Sequence, residues 1–176
     1  MRSSVQAGDR VVVKIYGEGE LSGDFMVSTE ADVILPRVGA LSVKNLSVQM
    51  LADTVRARYA RFLRNPVVDL TVLRRIVVNG EVLKPEVYYV DVVSTLRDVI
   101  ARAGGISPNG DASRVEIVRH GERIRVTDWQ HDETLASDLS SGDQVVVGRR
   151  SWLSLNASAV LSAAALVVSL IVTLRR

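Results

Sequence analysis

The chain has 176 residues, 47% of them hydrophobic and 24% charged, which excludes intrinsic disorder as its main character and suffices for one domain or two small ones. It contains no cysteine and two histidines, so a disulfide framework and thiolate metal sites are excluded and little remains for histidine-based catalysis. Residues 1–148 carry a net charge of −2, and the overall excess of positive charge comes from the pairs Arg149-Arg150 and Arg175-Arg176. This distribution predicts no basic face for nucleic acid.

The first unit of the chain is predicted to contain several short strands and one helix. Residues 10–16, R-V-V-V-K-I-Y, are rich in β-branched side chains and follow the turn pair Gly8-Asp9, which predicts a strand. Shorter strands are predicted at 25–28, 32–35 and 38–43. Ser47 begins an amphipathic helix that ends at Asn65-Pro66. Its apolar face is formed by Val48, Leu51, Ala52, Val55, Tyr59 and Phe62. After Pro66, the residues V-V-D-L-T-V-L predict a strand that closes this unit near residue 73.

A second unit, after residue 73, is also predicted to contain several strands and one helix. It begins with a strand at 75–78, turns near Asn79-Gly80, and continues through V-L-K-P-E-V-Y-Y-V. Apolar spacing predicts a helix over 95–103 that stops at Gly104-Gly105. The residues R-V-E-I-V-R, H-G-E and R-I-R-V then predict a hairpin, and a last strand is predicted at 144–147. Together these elements describe a compact α+β fold.

Two short sequences near opposite ends of these units are alike. G-D-R-V-V-V at 8–13 is echoed by G-D-Q-V-V-V at 142–147, and each is interpreted as a Gly-Asp turn that leads into a buried strand. The pattern is too common to establish a repeat by itself. His120, near the hairpin tip, and His131, in a loop, are interpreted as surface residues. The sequence therefore predicts no catalytic, cofactor or metal site.

The last segment of the chain has the length and composition of a membrane span. Leu153 to Leu174 contains 22 residues without a charge, of which 16 are apolar. A helix of this length extends about 33 Å, enough to cross a hydrocarbon core of about 30 Å. Trp152 and the two arginine pairs flank it, as is typical of residues at a membrane interface. The alternative is a buried core helix, which a chain of this size could hardly surround on every side.

Polar residues of this segment cluster on one side of the predicted helix. They are Ser154, Ser158, Ser162, Ser169 and Thr173, with Ala165 among them. Small hydroxyl residues commonly allow membrane helices to pack closely. The second explanation is that several copies form a ring and that these residues line a water-filled lumen.

The order of these motifs resembles the bacterial outer-membrane polysaccharide export proteins, the Wza-like and GumB-like group. The export domain of that family is similar to G-D-R-V-V-V-K-I-Y-G-E-G-E-L-S-G at 8–23, D-V-I-L-P-R-V-G at 32–39 and N-P-V-V-D-L-T-V at 65–72. The family's SLBB module, a small β-grasp domain, resembles V-V-N-G-E-V-L-K-P-E-V-Y at 77–88, T-L-R-D-V-I-A-R-A-G-G at 95–105 and S-G-D-Q-V-V-V at 141–147. The motif residues are Gly8, Asp9, Pro36, Gly39, Pro66, Gly80, Pro85, Gly104, Gly105, Gly142 and Asp143.

The resemblance implies an architecture and a function. We expect an export domain at 5–73, an SLBB-like β-grasp domain at 74–148 and a C-terminal transmembrane helix at 152–174. Copies of this helix are expected to form an α-helical barrel through the outer membrane, above a periplasmic ring. The assembly would export capsular polysaccharide or exopolysaccharide without enzymatic chemistry or a cofactor. The implied partners are further copies of the chain, the polysaccharide, the lipid bilayer and an inner-membrane polysaccharide copolymerase.

The sequence departs from the family pattern in three respects. Glu86 follows Pro85 where the module usually has glycine, and there is one SLBB-like unit where longer members have two or more. The start, M-R-S-S-V-Q-A-G-D, lacks an apolar export signal, which indicates a processed chain or a truncated start. If Met1 is the native start, residues 1–148 are expected to be cytosolic on a tail-anchored helix.

Two other functions compete with a conduit. A membrane-tethered module could bind a saccharide or a protein partner without forming a pore, with the last segment serving as an anchor. A glycoside hydrolase would need paired carboxylates, for which Asp128 with Asp132 or Glu133 are candidates. Acidic residues in loops are usually solvated, so the hydrolase is the least favoured of the three.

Overall fold

The computed structural model describes residues 4–130 and 139–151, together with Ser162 and Ala165. Within these residues the chain forms nine strands, two α-helices and one turn of 3-10 helix. In chain order they are β1 (Arg10–Ile15), the 3-10 turn (Gly19–Leu21), β2 (Gly23–Met26), β3 (Asp32–Leu35), β4 (Gly39–Ser42), α1 (Val48–Tyr59), β5 (Val68–Gly80), β6 (Val87–Asp91), α2 (Leu96–Arg102), β7 (Gly110–Arg119), β8 (Glu122–Arg125) and β9 (Gln144–Arg149). The mixed α and β character predicted from the sequence is confirmed.

Seven of the described strands form one sheet. Its order is β2-β1-β5-β9-β7-β8, and β6 also pairs with β5. The pairing of β5 with β9 is parallel, whereas the other pairs in this sheet are antiparallel. Strands β3 and β4 form a separate hairpin. The predicted hairpin with His120 near its tip is confirmed as β7 and β8, and His120 has a positive φ of 51° in the turn.

Each helix covers one of two apolar cores. Leu51, Val55 and Tyr59 of α1 are fully buried in the first core, which also contains the inward side chains of β1. Leu96 and Val99 of α2 are fully buried in the second core. Side-chain oxygens of Ser47 and Thr95 cap the two helices, as their positions before the apolar pattern indicate.

The first helix ends earlier than the sequence predicts. The expected end was Asn65-Pro66, but α1 stops at Tyr59, whose carbonyl oxygen accepts the N–H groups of both Phe62 and Leu63. The buried Tyr59 hydroxyl also donates to the carbonyl oxygen of Pro36 at 3.1 Å, which fixes this end of the helix. Phe62, predicted on the apolar face, is 55% exposed because the chain has already left the helix.

The two strands predicted on either side of residue 74 are one strand. In β5, Val72, Arg74, Ile76 and Val78 are buried and the residues between them are half-buried, so the alternation continues through residue 74 without a break. From the sequence, the first unit is predicted to end near residue 73 and a new strand to begin at residue 75. Arg74 occupies an inward position instead, because its guanidinium donates to the carbonyl oxygen of Leu139 and so retains a hydrogen bond. The first half of β5 pairs with β1 and the second half with β9, so one strand links both cores.

The two similar Gly-Asp sequences adopt the same local structure. In one, the Asp9 carboxylate accepts the Gln6 N–H at 2.9 Å, and in the other, Asp143 accepts the Ser140 N–H at 2.7 Å. In each turn the aspartate N–H donates back to the residue three positions earlier. Gly8 and Gly142 have φ values of 87° and 86°, a conformation that favours glycine. Each turn therefore fixes the start of the strand that follows it.

These two turns meet beside the middle of β5, and we call this contact the junction. The Ser141 hydroxyl donates to the Asp9 carboxylate, and the Gly142 N–H donates to the Arg75 carbonyl oxygen at 2.8 Å. Arg119 binds Asp143 through two hydrogen bonds of 2.9 and 2.8 Å. Burial raises the pKa of Asp9 to about 6, although the Gln6 N–H and the charge of Arg74 act in the opposite direction.

The junction predicts a pH-dependent stability. The pKa of Asp9 is about 6 in the folded chain, above the ordinary value of 3.8 that applies in the unfolded chain. As pH rises between these two values, the unfolded chain loses this proton more readily than the folded chain, so the contribution of Asp9 to stability falls. Two pKa units correspond to at most about 3 kcal/mol. The melting temperature of wild type relative to Asp9→Asn should therefore be highest at pH 4.5 and decrease towards pH 7.5, measured on the full chain in mild detergent. Asp53→Asn removes an exposed carboxylate from α1 and is the matched control, for which this difference should change little. A difference for Asp9→Asn that is constant or increases with pH contradicts the prediction.

A second prediction concerns Gly80 at the end of β5, which lies close to the backbone of β9. A Cβ atom on Gly80 would lie 2.2 Å from the Val147 carbonyl oxygen, and the φ of Gly80 is 85°. Gly80→Ala should destabilise the protein by more than about 2 kcal/mol, because a backbone clash adds to the conformational cost. Gly17→Ala is the matched control, since Gly17 has a φ of 84° and open space around it. Equal losses of thermal stability in the two variants would show that the close approach to β9 is unimportant.

Candidate functional site

The predicted pore residues fall mainly on a part of the chain that is not described. The following lie outside the described residues: Ser154, Ser158, Ser169, Thr173, Trp152, Arg175 and Arg176. Ser162 and its neighbour Ala165 are described, and both are helical and exposed. Among the helices of the described part of the chain, none has both the length and the apolar character needed to cross a bilayer. The predicted membrane helix at 152–174 therefore stays a prediction.

The arginine pair that precedes this segment is attached to the sheet. Arg149 is the last residue of β9; its Nε lies 3.6 Å from a carboxylate oxygen of Glu81. Its carbonyl oxygen accepts a hydrogen bond of 3.2 Å from Arg114. The Arg150 N–H donates to the Asn109 carbonyl oxygen at 2.8 Å, while its side chain is exposed. These contacts fix the point at which the chain leaves the sheet for the C-terminal segment.

The motif residues have positions at turns and at the ends of elements. They are Gly8, Asp9, Gly142 and Asp143 in the junction, and Pro36, Gly39, Pro66, Gly80, Pro85, Gly104 and Gly105 between or at the ends of other elements. Glu86, which replaces the usual glycine, does not have a positive φ, so it fits its turn without backbone strain. Its carbonyl oxygen accepts the N–H of Val78 at 2.9 Å. These residues shape turns and element ends, and Gly105 also lines a cleft of the second unit.

A cleft of about 670 Å³ lies in the second unit, and sequence reasoning did not find it. Residues from α2, the loop after it, the start of β7, the end of the described segment before residue 131, and the start of the C-terminal segment form its walls. Arg97 and Arg150 contribute two guanidinium groups, and Trp129 forms part of the apolar wall. The indole N–H of Trp129 donates to the Ala112 carbonyl oxygen at 2.9 Å, which holds the ring in place. No local pattern connects these residues, because they are far apart in sequence.

The residues proposed for a hydrolase do not gain support from their surroundings. Asp128 is exposed, and Asp132 and Glu133 lie outside the described residues. A glycosidase general acid needs a raised pKa in an accessible cleft. Asp9 has a raised pKa but is 1% exposed, so a sugar ring cannot reach it.

The pKa values of three other carboxyl groups are lowered, whereas a general acid needs a raised pKa. Hydrogen bonds from Thr95 lower the pKa of Asp98, those from Ser113 lower the pKa of Asp111, and that from Arg123 lowers the pKa of Glu116. His120 is an exposed turn residue, and His131 lies outside the described residues. Within the part of the chain that the structure describes, no group of three potential ligands could hold a metal ion.

Each of the two units matches a known protein family or domain. Residues 2–73 match the family described as polysaccharide biosynthesis/export protein, and residues 75–127 match the SLBB domain. These matches lie on either side of Arg74, the buried residue at the middle of β5.

Named relatives agree with these matches. The EPS I polysaccharide export outer membrane protein EpsA of Ralstonia solanacearum is 34% identical over 105 residues, which cover 56% of this chain and 28% of that protein. The polysialic acid transport protein KpsD of Escherichia coli is 26% identical over 153 residues, which cover 81% of this chain and 27% of that protein. The chain thus spans less than a third of the length of these relatives. By its matched domains and their order, the chain belongs to the polysaccharide biosynthesis/export protein family and carries an SLBB domain after the export domain.

Proposed function

We propose that this chain is a subunit of an outer-membrane conduit for polysaccharide export. The observation that carries the proposal is the succession of an export domain, an SLBB domain and an uncharged segment of 22 residues with hydroxyl groups on one side. Relatives named as an outer membrane export protein and as a polysialic acid transport protein support the location and the type of cargo. The expected domains are 5–73 and 74–148 in the periplasm and the transmembrane helix at 152–174.

The C-terminal segments of several copies form the pore in this proposal. Because a single helix with a polar stripe is poorly matched to lipid, a ring of helices that turns its stripes inward is the more favourable arrangement. Ser162 and Ala165, both on the predicted stripe, are helical and exposed in the single chain, so both can contact water or another copy. The opposite side of the predicted helix is apolar and would contact lipid.

Hydroxyl groups suit the passage of a long polar chain. Each hydrogen bond between a lumen serine and a sugar contributes about 0.5–1.5 kcal/mol net and is readily exchanged for one to water. A polysaccharide would therefore remain hydrated without stalling at a strong site. No covalent step is needed, and an inner-membrane copolymerase is the partner expected to deliver the polymer from the periplasmic side.

The folded units would hold each helix at a defined position in the ring. The continuous strand β5 links the two cores, and hydrogen bonds of Arg149 and Arg150 attach the start of the last segment to this sheet. The Arg150 bond joins two backbone atoms, whereas the Arg149 carbonyl oxygen is held by the Arg114 side chain.

A membrane-tethered binding module is the second candidate. The cleft beside Arg150 favours it, because a concave site with polar and apolar walls is a feature of binding domains. In that case the last segment would only be an anchor, and the serine side would contact another helix or remain unpaired.

The mass of the assembly distinguishes the two candidates. We expect the full chain in mild detergent to form one large species with many times the mass of a single chain, measured by light scattering and mass photometry. Averaged cryo-EM views along the membrane normal should show a ring with a central hole. A monomer or dimer at all protein concentrations would eliminate the conduit and leave the tethered module.

The hydroxyl stripe can be tested independently of assembly. Ser162→Leu combined with Ser169→Leu should reduce polysaccharide export to less than about a tenth of wild type, because an apolar constriction loses its water. Membrane insertion should be unchanged or improved. Val160→Leu combined with Val167→Leu changes the opposite, apolar side and is the matched control, for which export should be normal. Normal export by the serine variant, with wild-type protein levels in the membrane, would contradict a lumen position for these residues.

A further inference from the structure

We infer that the cleft of the second unit binds a carboxylate-bearing sugar of an acidic polysaccharide. This inference rests on the proposed export function and names the chemical class of cargo that the folded part of the chain recognises. The cleft residues are separate from the hydroxyl stripe, so the two can be tested separately.

Charge is the first argument for an anionic ligand. Arg97 and Arg150 line the cleft, and among the described residues of its lining there is no carboxylate. Within the described residues, neither of these two guanidinium groups has an acidic oxygen within ion-pairing distance, whereas Arg119, Arg123 and Arg125 each have one. Because guanidinium is planar and has parallel donors, it can bind a carboxylate through two hydrogen bonds. The described lining of the cleft therefore carries two positive charges and no negative one, while Asp98 and Asp111, outside the lining, lie close enough to Arg97 and Arg150 for these charges to help lower the pKa of each carboxyl group.

The walls of the cleft match the mixed character of a sugar ring. Ile106 and Pro108 provide apolar surface that the C–H faces of a pyranose can contact, and the largely buried Trp129 packs behind them. Gln130 adds an amide that can both donate and accept hydrogen bonds. The Ser107 hydroxyl already donates to Glu81 at 2.9 Å, so it presents only acceptor capacity to a ligand.

Size and position fit a segment of a chain. The volume of about 670 Å³ lies in the range of about 300–1,000 Å³ that is typical of small-molecule sites, and the cleft is open to solvent. An open site can hold one part of a polymer while the rest extends on either side. Arg150 also directly precedes the C-terminal segment, so a sugar held here would lie where the chain continues towards the proposed pore.

Binding of defined trisaccharides to the full chain in mild detergent tests this inference. Trigalacturonate, which carries carboxylates, should bind at least about tenfold more tightly than neutral maltotriose in isothermal titration calorimetry, and its affinity should fall as salt rises. Arg97→Gln should weaken trigalacturonate binding at least about fivefold, because it removes one bidentate donor and retains a polar side chain. Arg58→Gln, which removes an exposed arginine of α1, is the matched control and should bind normally.

Three results would overturn the inference. They are no binding of trigalacturonate at millimolar concentration, equal binding of the two trisaccharides, and normal binding by Arg97→Gln. Glycerol 3-phosphate, a phospholipid headgroup, should compete poorly because it has no ring faces, and strong competition would assign the cleft to lipid instead. If a ring forms and exports polymer while trigalacturonate fails to bind, the inference fails and the conduit remains. If binding occurs but the protein is monomeric, the conduit fails and the cleft assignment remains.

Discussion

The arrangement of both units depends on the buried polar contacts around the middle of β5. Arg74 is directed inward at a position where a hydrophobic residue would be expected, and its charge lies near that of Asp9. The Gly-Asp turns that precede β1 and β9 meet there through Ser141 and Arg75. A buried charge without partners is costly, whereas hydrogen bonds and opposite charges offset that cost only when the geometry is correct. The junction therefore selects one relative position of the two cores, even though the raised pKa of Asp9 shows that burial of its charge is unfavourable.

This arrangement has a consequence for a protein that would assemble into a ring. If the two units were joined by a flexible linker, each copy could place its last segment at many angles to the next. A shared strand removes that freedom, because the backbone hydrogen bonds of β5 extend from β1 to β9. Arg149 and Arg150 continue the same connection to the start of the C-terminal segment. The fold would thus supply rigidity to the proposed pore, whose helices are predicted from the sequence to have small polar residues on their inner side.

Two kinds of sugar contact would act at different points along the proposed path. The described lining of the cleft offers two guanidinium groups and an apolar wall, so it would distinguish charged from neutral chains. The stripe offers hydroxyl groups, which interact alike with many polar chains and hold none of them strongly. Selection of charged polymers at the cleft is compatible with weak contacts to the stripe in the membrane, because a long polymer could occupy the cleft and the proposed pore at the same time.

The local pattern of apolar and polar residues predicted most of the helices and strands of this protein, and the sequence motifs indicated its family. Apolar spacing and caps located α1 and α2, and His120-Gly121 located a turn, because these features depend on residues close in sequence. The turn predicted near Asn79-Gly80 was wrong in position, because both residues pair with β9 and the chain leaves the strand only after Gly80. Only the tertiary structure decided that β5 is one strand, since the inward position of Arg74 depends on the distant carbonyl group of Leu139. The cleft could not be predicted from the sequence either. Packing of the second core brings Arg97, Trp129 and Arg150 together, and no local spacing connects them. Short-range periodicity thus specified the elements, and long-range hydrogen bonding and packing specified how they join and what they enclose.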